Sequence, residues 1–207
     1  MVSPDAAGLP SLRGGYNDGM RSPIELRRRR VYQGPRFDID RVELEARGDG
    51  ELPVERDAIL TPDSVVVLPL MGDFNGDGDA TQVVMIRNER YAVGRKLWEL
   101  CAGTLESGEP VTRCAQRELI EETGYRCGRI EPMLDYYPCP GISTERMYAF
   151  LATDLTHVGQ QLEPNERIEV EVMPLRRSIE MIRVGEIHDA KTIATLLYYW
   201  TFNRKRD

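Results

Sequence analysis

No stretch of this 207-residue chain is apolar for long enough to cross a bilayer. The longest apolar runs, around Ser64 to Met71 and Ile193 to Trp200, fall well short of the roughly 20 residues a spanning helix needs. A secretory leader pattern is missing from the start of the chain as well, so a cytoplasmic protein without a membrane partner is expected. Cysteine pairs are also lacking. Cys101, Cys114, Cys127 and Cys139 are scattered singly, without a Cys-x-x-Cys, and the two histidines do not cluster with them. That spacing opposes a zinc site and fits reduced thiols used as small packing residues. There is no excess of positive charge. The 27 Lys and Arg against 34 Asp and Glu leave a net charge of −7, which argues against a general nucleic-acid surface. Neither an internal repeat nor a low-complexity tract is present.

What is there suffices for one substantial core: 41% of the residues are apolar. Residues 1–24, rich in Gly, Pro, Ser and Asp, read as a flexible tail. Residues 25–56 read as an N-terminal β segment. Arg27 to Arg30 open a strand at Val31-Tyr32 as a solvated or interfacial face, and Phe37, Ile39, Val42 and Leu44 alternate as strands do. Residues 57–207 read as the main domain. Its strands are expected over Asp57 to Leu70, Gln82 to Asn88, Tyr136 to Tyr137, Met147 to Ala152 and Ile168 to Met173, with Leu155 to Pro164 as a polar connection. Helices are expected over Leu175 to Arg183, stopped by Gly185, and after Asp189 as a cap, with Ile193, Leu196, Leu197 and Trp200 on one face. Asp73 to Gly78 mimics the opening of an EF-hand loop, but position twelve is Val84 and no helices flank it, so a polar hairpin connection is expected.

The richest segment runs from Gly103 to Tyr125. Glu118, Glu121 and Glu122 stand at i, i+3 and i+4, on one face of a helix. Like charges so close repel, which calls for a cation, and hard oxygen donors suit Mg²⁺, with Mn²⁺ as a substitute. Pro110 fits a first helical position and Gly124 the left-handed residue past the end, so the helix is expected from about Pro110 to Thr123. Val111, Ala115, Leu119 and Ile120 would face a sheet. Arg117 can pair with Glu121, or with Glu99 ahead of the loop.

Gly103, five residues, Glu109, seven residues and then Arg117-Glu118-Leu119-Ile120-Glu121-Glu122-Thr123-Gly124-Tyr125 fill every fixed position of the Nudix box. The chain thus resembles the Nudix hydrolases. Tyr91 to Arg95, Leu97 to Gly103, Pro140 to Arg146 and Gly185 to Thr192 resemble their ADP-ribose pyrophosphatase and nucleoside diphosphate sugar hydrolase branch. The resemblance implies an α+β fold, an α/β/α sandwich around a mixed sheet, with antiparallel N-terminal strands ahead of it. It implies a homodimer built partly by those strands. It also implies metal-dependent hydrolysis of ADP-ribose to AMP and ribose 5-phosphate. The alternatives are another nucleoside diphosphate sugar such as GDP-mannose, or a non-catalytic ligand-sensing module.

By the same resemblance Glu118 and Glu122 are expected metal ligands, joined by Glu121 and the Ala102 carbonyl. Glu121, Glu166 and Glu163 are candidate bases, with Glu166 preferred for its place directly before a strand, and Arg117 has a supporting role. Arg90, Arg95, Glu99, Glu145 and Arg146 are candidate substrate contacts, the arginines through bidentate bonds to phosphate. Cys101 stands where these enzymes usually carry proline, which leaves the backbone freer. Trp98 is expected in the core.

Overall fold

The computed structural model describes residues 25–46, 48, 50, 52–72, 80–164 and 166–203. The expected tail over 1–24 and the acidic connection from Asp73 to Asp79 lie outside the described residues. Strands β1 (Glu25–Gln33), β2 (Asp38–Leu44) and β3 (Val54–Leu60) form an antiparallel sheet in that order. Arg27 to Arg30 lie inside β1 rather than ahead of it, and every β1 position is exposed. Arg28 pairs with Glu25, and Arg30 with Asp38 and Asp40. Charge along an edge strand is a common way to stop it templating further strands.

The expected single strand from Asp57 to Leu70 is two strands. Pro62, which has no N–H to donate, sits at the break, and β3 before it belongs to the N-terminal sheet. That sheet therefore runs through Leu60, past the boundary expected at residue 56. It meets the rest of the chain at an isolated bridge between Ile59 and Ser143.

The main sheet holds β4 (Ser64–Gly72), β5 (Thr81–Arg90), β6 (Arg95–Glu99), β7 (Ala102–Thr104), β8 (Tyr125–Tyr136), β9 (Met147–His157) and β10 (Ile168–Pro174). Its path is β10-β5-β4-β9-β8, with β6 on β5 and β7 on β4. The β4–β9 pair is parallel and the others antiparallel, so the sheet is mixed. Helix α1 (Val111–Thr123) covers one face. Helices α2 (Leu175–Arg183) and α3 (Ala190–Tyr198), the latter followed by a π-helical turn at Tyr199–Asn203, cover the other.

The apolar run of β4 has no polar alternation because both its faces are covered. Val65 and Val67 meet Cys114, Ala115 and Leu119 of α1, while Val66, Leu68 and Leu70 meet Leu175, Met181 and Leu196. The α/β/α sandwich with a preceding antiparallel sheet is thus the observed architecture.

Several boundaries move. Pro110 is the residue just outside α1 (φ −65°, ψ 137°) rather than its first helical one. Gly124 ends the helix left-handed at φ 73°, its N–H bonded to the Ile120 carbonyl. A Cβ there would lie 2.8 Å from the Gly159 and Gln160 backbone, so glycine is required twice over. Val111 and Ile120 are only half-buried, and Cys114 takes a full place on the core face instead. Strand β8 starts directly after Gly124, and β9 reaches His157, into the expected polar connection. Backbone pairing from Tyr125–His157 to Tyr136–Met147 carries those strands where side-chain pattern does not. Asp189 caps α3 through the Thr192 N–H at 3.0 Å. The helix buries Thr192, Thr195 and Leu196, whereas Leu197 is 39% exposed.

Candidate functional site

Glu118 and Glu122 sit one turn apart on the side of α1 that runs beneath β7. They are only 9% and 4% exposed, which is unusual for carboxylates without a basic partner for each. The Ala102 N–H donates to Glu122 Oε2 at 2.9 Å. Beside it, a Cβ on Gly103 would overlap the Glu118 carboxyl group, so only glycine lets strand and helix approach this closely. Burial pushes the Glu122 carboxyl up to about 8, against the Ala102 N–H bond that favours its charged form. Burial raises Glu118 too. The Arg117 guanidinium opposes that rise, while repulsion from Glu121 and Glu166 adds to it.

Arg117 gathers the surrounding oxygens. Its Nη1 donates to Glu118 Oε1 at 2.7 Å and Glu121 Oε2 at 3.0 Å. Its Nε and Nη2 donate to the two oxygens of Glu109, both at 3.0 Å, and Nη2 also reaches the Thr104 carbonyl at 3.3 Å. This bidentate pairing lowers the Glu109 pKa and raises that of Arg117. The pairing with Glu121 agrees with the i+4 expectation; the one with Glu99 does not occur. Glu99 is fully buried and taken by other cations: Arg90 holds it by two bonds of 2.8 and 2.6 Å, and Lys191 also donates to it.

Lys191 in turn bonds Asp189 at 2.9 Å, and Asp189 accepts from Thr192 Oγ1 at 2.6 Å. Thr192 Oγ1 accepts from the Leu100 N–H at 2.8 Å. Glu99 is therefore an internal anchor between β6 and α3 rather than a group exposed for substrate.

A cleft of about 360 Å³ opens beside these glutamates. Ala102, Gly103, Arg90, Glu145, Asp189 and Lys191 are among its lining residues. Of the expected substrate contacts, Arg90 and Glu145 are brought to it. Arg95 is exposed at the start of β6 and is not among the lining residues. Arg146 bonds Asp135 at 2.8 Å and lies 5.1 Å from the Tyr148 ring centre. Pro138 is a further lining residue of the cleft.

Sequence reasoning passed over Lys191 and gave Asp189 only a capping role. Their signal was present in the tight spacing Asp189-x-Lys191-Thr192, which puts a cap, a cation and a hydroxyl within the first turn of α3.

Glu166 and Glu163 close a turn on each other. The Glu166 N–H donates to the Glu163 carbonyl at 3.0 Å, and Glu166 Oε2 accepts from the Glu163 N–H at 2.9 Å. Glu166 is half-buried and its charge reaches both Glu118 and Glu122, whereas Glu163 is exposed. Trp98 packs against the core, with the Arg87 guanidinium 5.1 Å from its ring. Cys101 is fully buried, and its carbonyl accepts from the Val67 N–H at 2.9 Å. That bond restrains the backbone that proline would otherwise stiffen.

Among the described residues no three carboxylates already stand close enough to form a ready metal cage, and Arg117 pairs with both Glu118 and Glu121. The donor set nonetheless suits a hard divalent cation. It consists of buried carboxylate oxygens beside a glycine-lined gap, with burial disfavouring their charge unless a cation supplies compensation.

Known proteins resemble the chain in sequence and in fold. The GDP-mannose pyrophosphatase of Salmonella typhimurium is 39% identical over 129 residues, covering 58% of this chain and 66% of the relative. Its namesake in Escherichia coli is 38% identical with the same coverage. The aligned part thus spans just under two thirds of the length of these relatives. A crystal structure described as an ADP compounds hydrolase superposes with a TM-score of 0.75 over 91% of this chain and 98% of its own, at 19% identity, a likeness of fold. The model of the NUDIX domain matches residues 62–196, from just before β4 into α3, and so takes in the whole main sheet, the glutamates of α1 and the cleft: the chain belongs to the Nudix family.

Proposed function

We propose that the protein is a Mg²⁺-dependent pyrophosphatase that hydrolyses the diphosphate link of a nucleoside diphosphate sugar. The observation that carries this reading is the pair Glu118 and Glu122, buried against Gly103 and Ala102, which line the same cleft as Arg90 and Lys191. Glu118 and Glu122 would hold the ion, with Arg117 fixing the Glu118 and Glu121 carboxylates in place beside it. An ion there supplies charge neutralisation on the diphosphate and a lowered pKa for attacking water. The exposed edge of Arg90 and the Lys191 ammonium attract the substrate phosphates, while their bonds to Glu99 keep both cations in fixed positions. Water attacks one phosphorus, a new P–O bond forms, and the bond from that phosphorus to the bridging oxygen breaks. Glu166, whose charge already reaches both buried glutamates, is the proposed proton acceptor. Glu145 at the cleft wall orients the sugar or its hydroxyls.

Among substrates, GDP-mannose is favoured by the relatives at 38 to 39% identity that carry that name. ADP-ribose, giving AMP and ribose 5-phosphate, is the second reading, supported by the submotifs around the box. Purified protein with Mg²⁺ should be given GDP-mannose, ADP-ribose and UDP-glucose, with products resolved by chromatography. A nucleoside monophosphate and a sugar phosphate are expected from the preferred substrate. Binding without turnover of any of them would replace the enzyme with a ligand-sensing module. The homodimer is proposed on the Leu26, Val31 and Tyr32 side chains that β1 leaves exposed, and sedimentation of the full chain tests it.

A further inference from the structure

A second cavity, of about 380 Å³, lies apart from the cleft, between α1 and the start of β8. Arg113 and Arg117 from α1 and Arg126 from β8 line it, with Glu109 as the carboxylate among its lining residues. Arg117 is already engaged by Glu109, Glu118 and Glu121. Arg113 and Arg126 have no ion pair or side-chain hydrogen bond among the described residues. Two unpaired guanidinium groups facing one small cavity repel each other, and an anion of phosphate geometry satisfies both with bidentate bonds. Ile120 and Cys127 supply an apolar wall, and the volume falls within the range of pockets that hold small organic ligands.

We infer that this cavity is a binding site for a phosphomonoester carrying an organic body, such as a nucleoside monophosphate, separate from the reactive cleft. The phosphate is held by Arg113 and Arg126 and competes with Glu109 for Arg117, and the body lies on Ile120 and Cys127. Because Arg117 also holds Glu118 and Glu121, an occupied cavity loosens their placement and lowers kcat. That regulatory half rests on the hydrolase reading; the binding half does not.

Cys127 gives a readout independent of turnover. The full-length protein is labelled with a maleimide, and Cys127 and the exposed Cys139 are followed separately by peptide mass mapping. AMP is expected to slow Cys127 labelling at least five-fold while leaving Cys139 unchanged, and adenosine to do nothing. In the Arg113→Ala/Arg126→Ala double variant, both of whose sites are exposed, the protection is expected to vanish while basal turnover stays. Equal protection by inorganic phosphate would overturn the monoester assignment. Protection that persists in the double variant, or is absent in the wild type at millimolar AMP, would overturn the site itself. For regulation, AMP should depress kcat in the wild type but raise only KM in the double variant; an unchanged wild-type kcat would refute the coupling.

Discussion

Carboxylates in the N-terminal sheet and carboxylates on α1 respond to their surroundings in opposite directions. Asp40 is held below its ordinary value by the hydrogen bond from Arg30, Asp57 by Arg41 and Glu25 by Arg28. Glu118 and Glu122 are pushed up by burial. Each of these three acids of the sheet has an arginine: Glu25 and Asp57 are paired in open solvent, where pairing is weak, and Asp40, itself only 5% exposed, is held by both Arg28 and Arg30. On α1 two acids were buried without one apiece, which costs stability. A region built to persist neutralises its charges internally, whereas the arrangement on α1 suits a charge that arrives from outside.

The strongest way to test this contrast is to remove the buried charge. Glu122→Gln should lower turnover by about 10³-fold, equivalent to about 4 kcal/mol of lost transition-state stabilisation. In metal-free buffer at pH 8 its melting temperature should be no lower than that of the wild type, since the amide carries no charge to desolvate. A melting temperature well below the wild type would mean that Glu122 is there for the fold. Next comes Glu99→Gln, which strips the fully buried partner from Arg90 and Lys191. A loss of about 3 kcal/mol in urea unfolding is expected, larger than for any single ion pair of the N-terminal sheet.

Acid and base then separate the regions. A carboxyl raised to about 8 contributes stability that is complete below its ordinary 4.5 and lost as pH rises through 8. The metal-free main domain should therefore weaken from pH 5 to 9, and Mg²⁺ should reverse the loss. The depressed acids of the sheet contribute stability above their ordinary 3.8 to 4.5, which is lost as pH falls further. Amide protection factors for β1 to β3 should drop below pH 4 while those of β4 and β9 persist. Smallest of all, Val31→Ala on exposed β1 should change stability by less than about 0.5 kcal/mol, and any effect beyond that should appear in sedimentation as weaker self-association.

Much of the main domain was legible from residues alone because local rules and burial agree there. Gly124 past α1, Asp189 before α3 and Gly185 after α2 all read correctly for physical reasons that need no knowledge of distant contacts. Readings failed where a distant partner decided. Asp57 to Leu70 looks continuous, yet Pro62 divides it between two sheets. Leu155 to His157 looks like loop, yet β8 supplies backbone bonds. Glu99 looks like one more candidate contact, until two cations, one 9 residues before it and one 92 residues after it, claim it.

By itself the sequence determined the spacing of Glu118, Glu121 and Glu122, the caps of their helix and the glycine ahead of it, since these depend on helical period and on which residues tolerate a given backbone. Only the tertiary structure decided that Glu118 and Glu122 are buried under β7, that Arg117 serves Glu109 rather than Glu99, and that Lys191 joins Arg90 at the cleft. Those outcomes depend on how strands far apart in the chain approach one another, and desolvation and pairing are properties of that approach rather than of any residue.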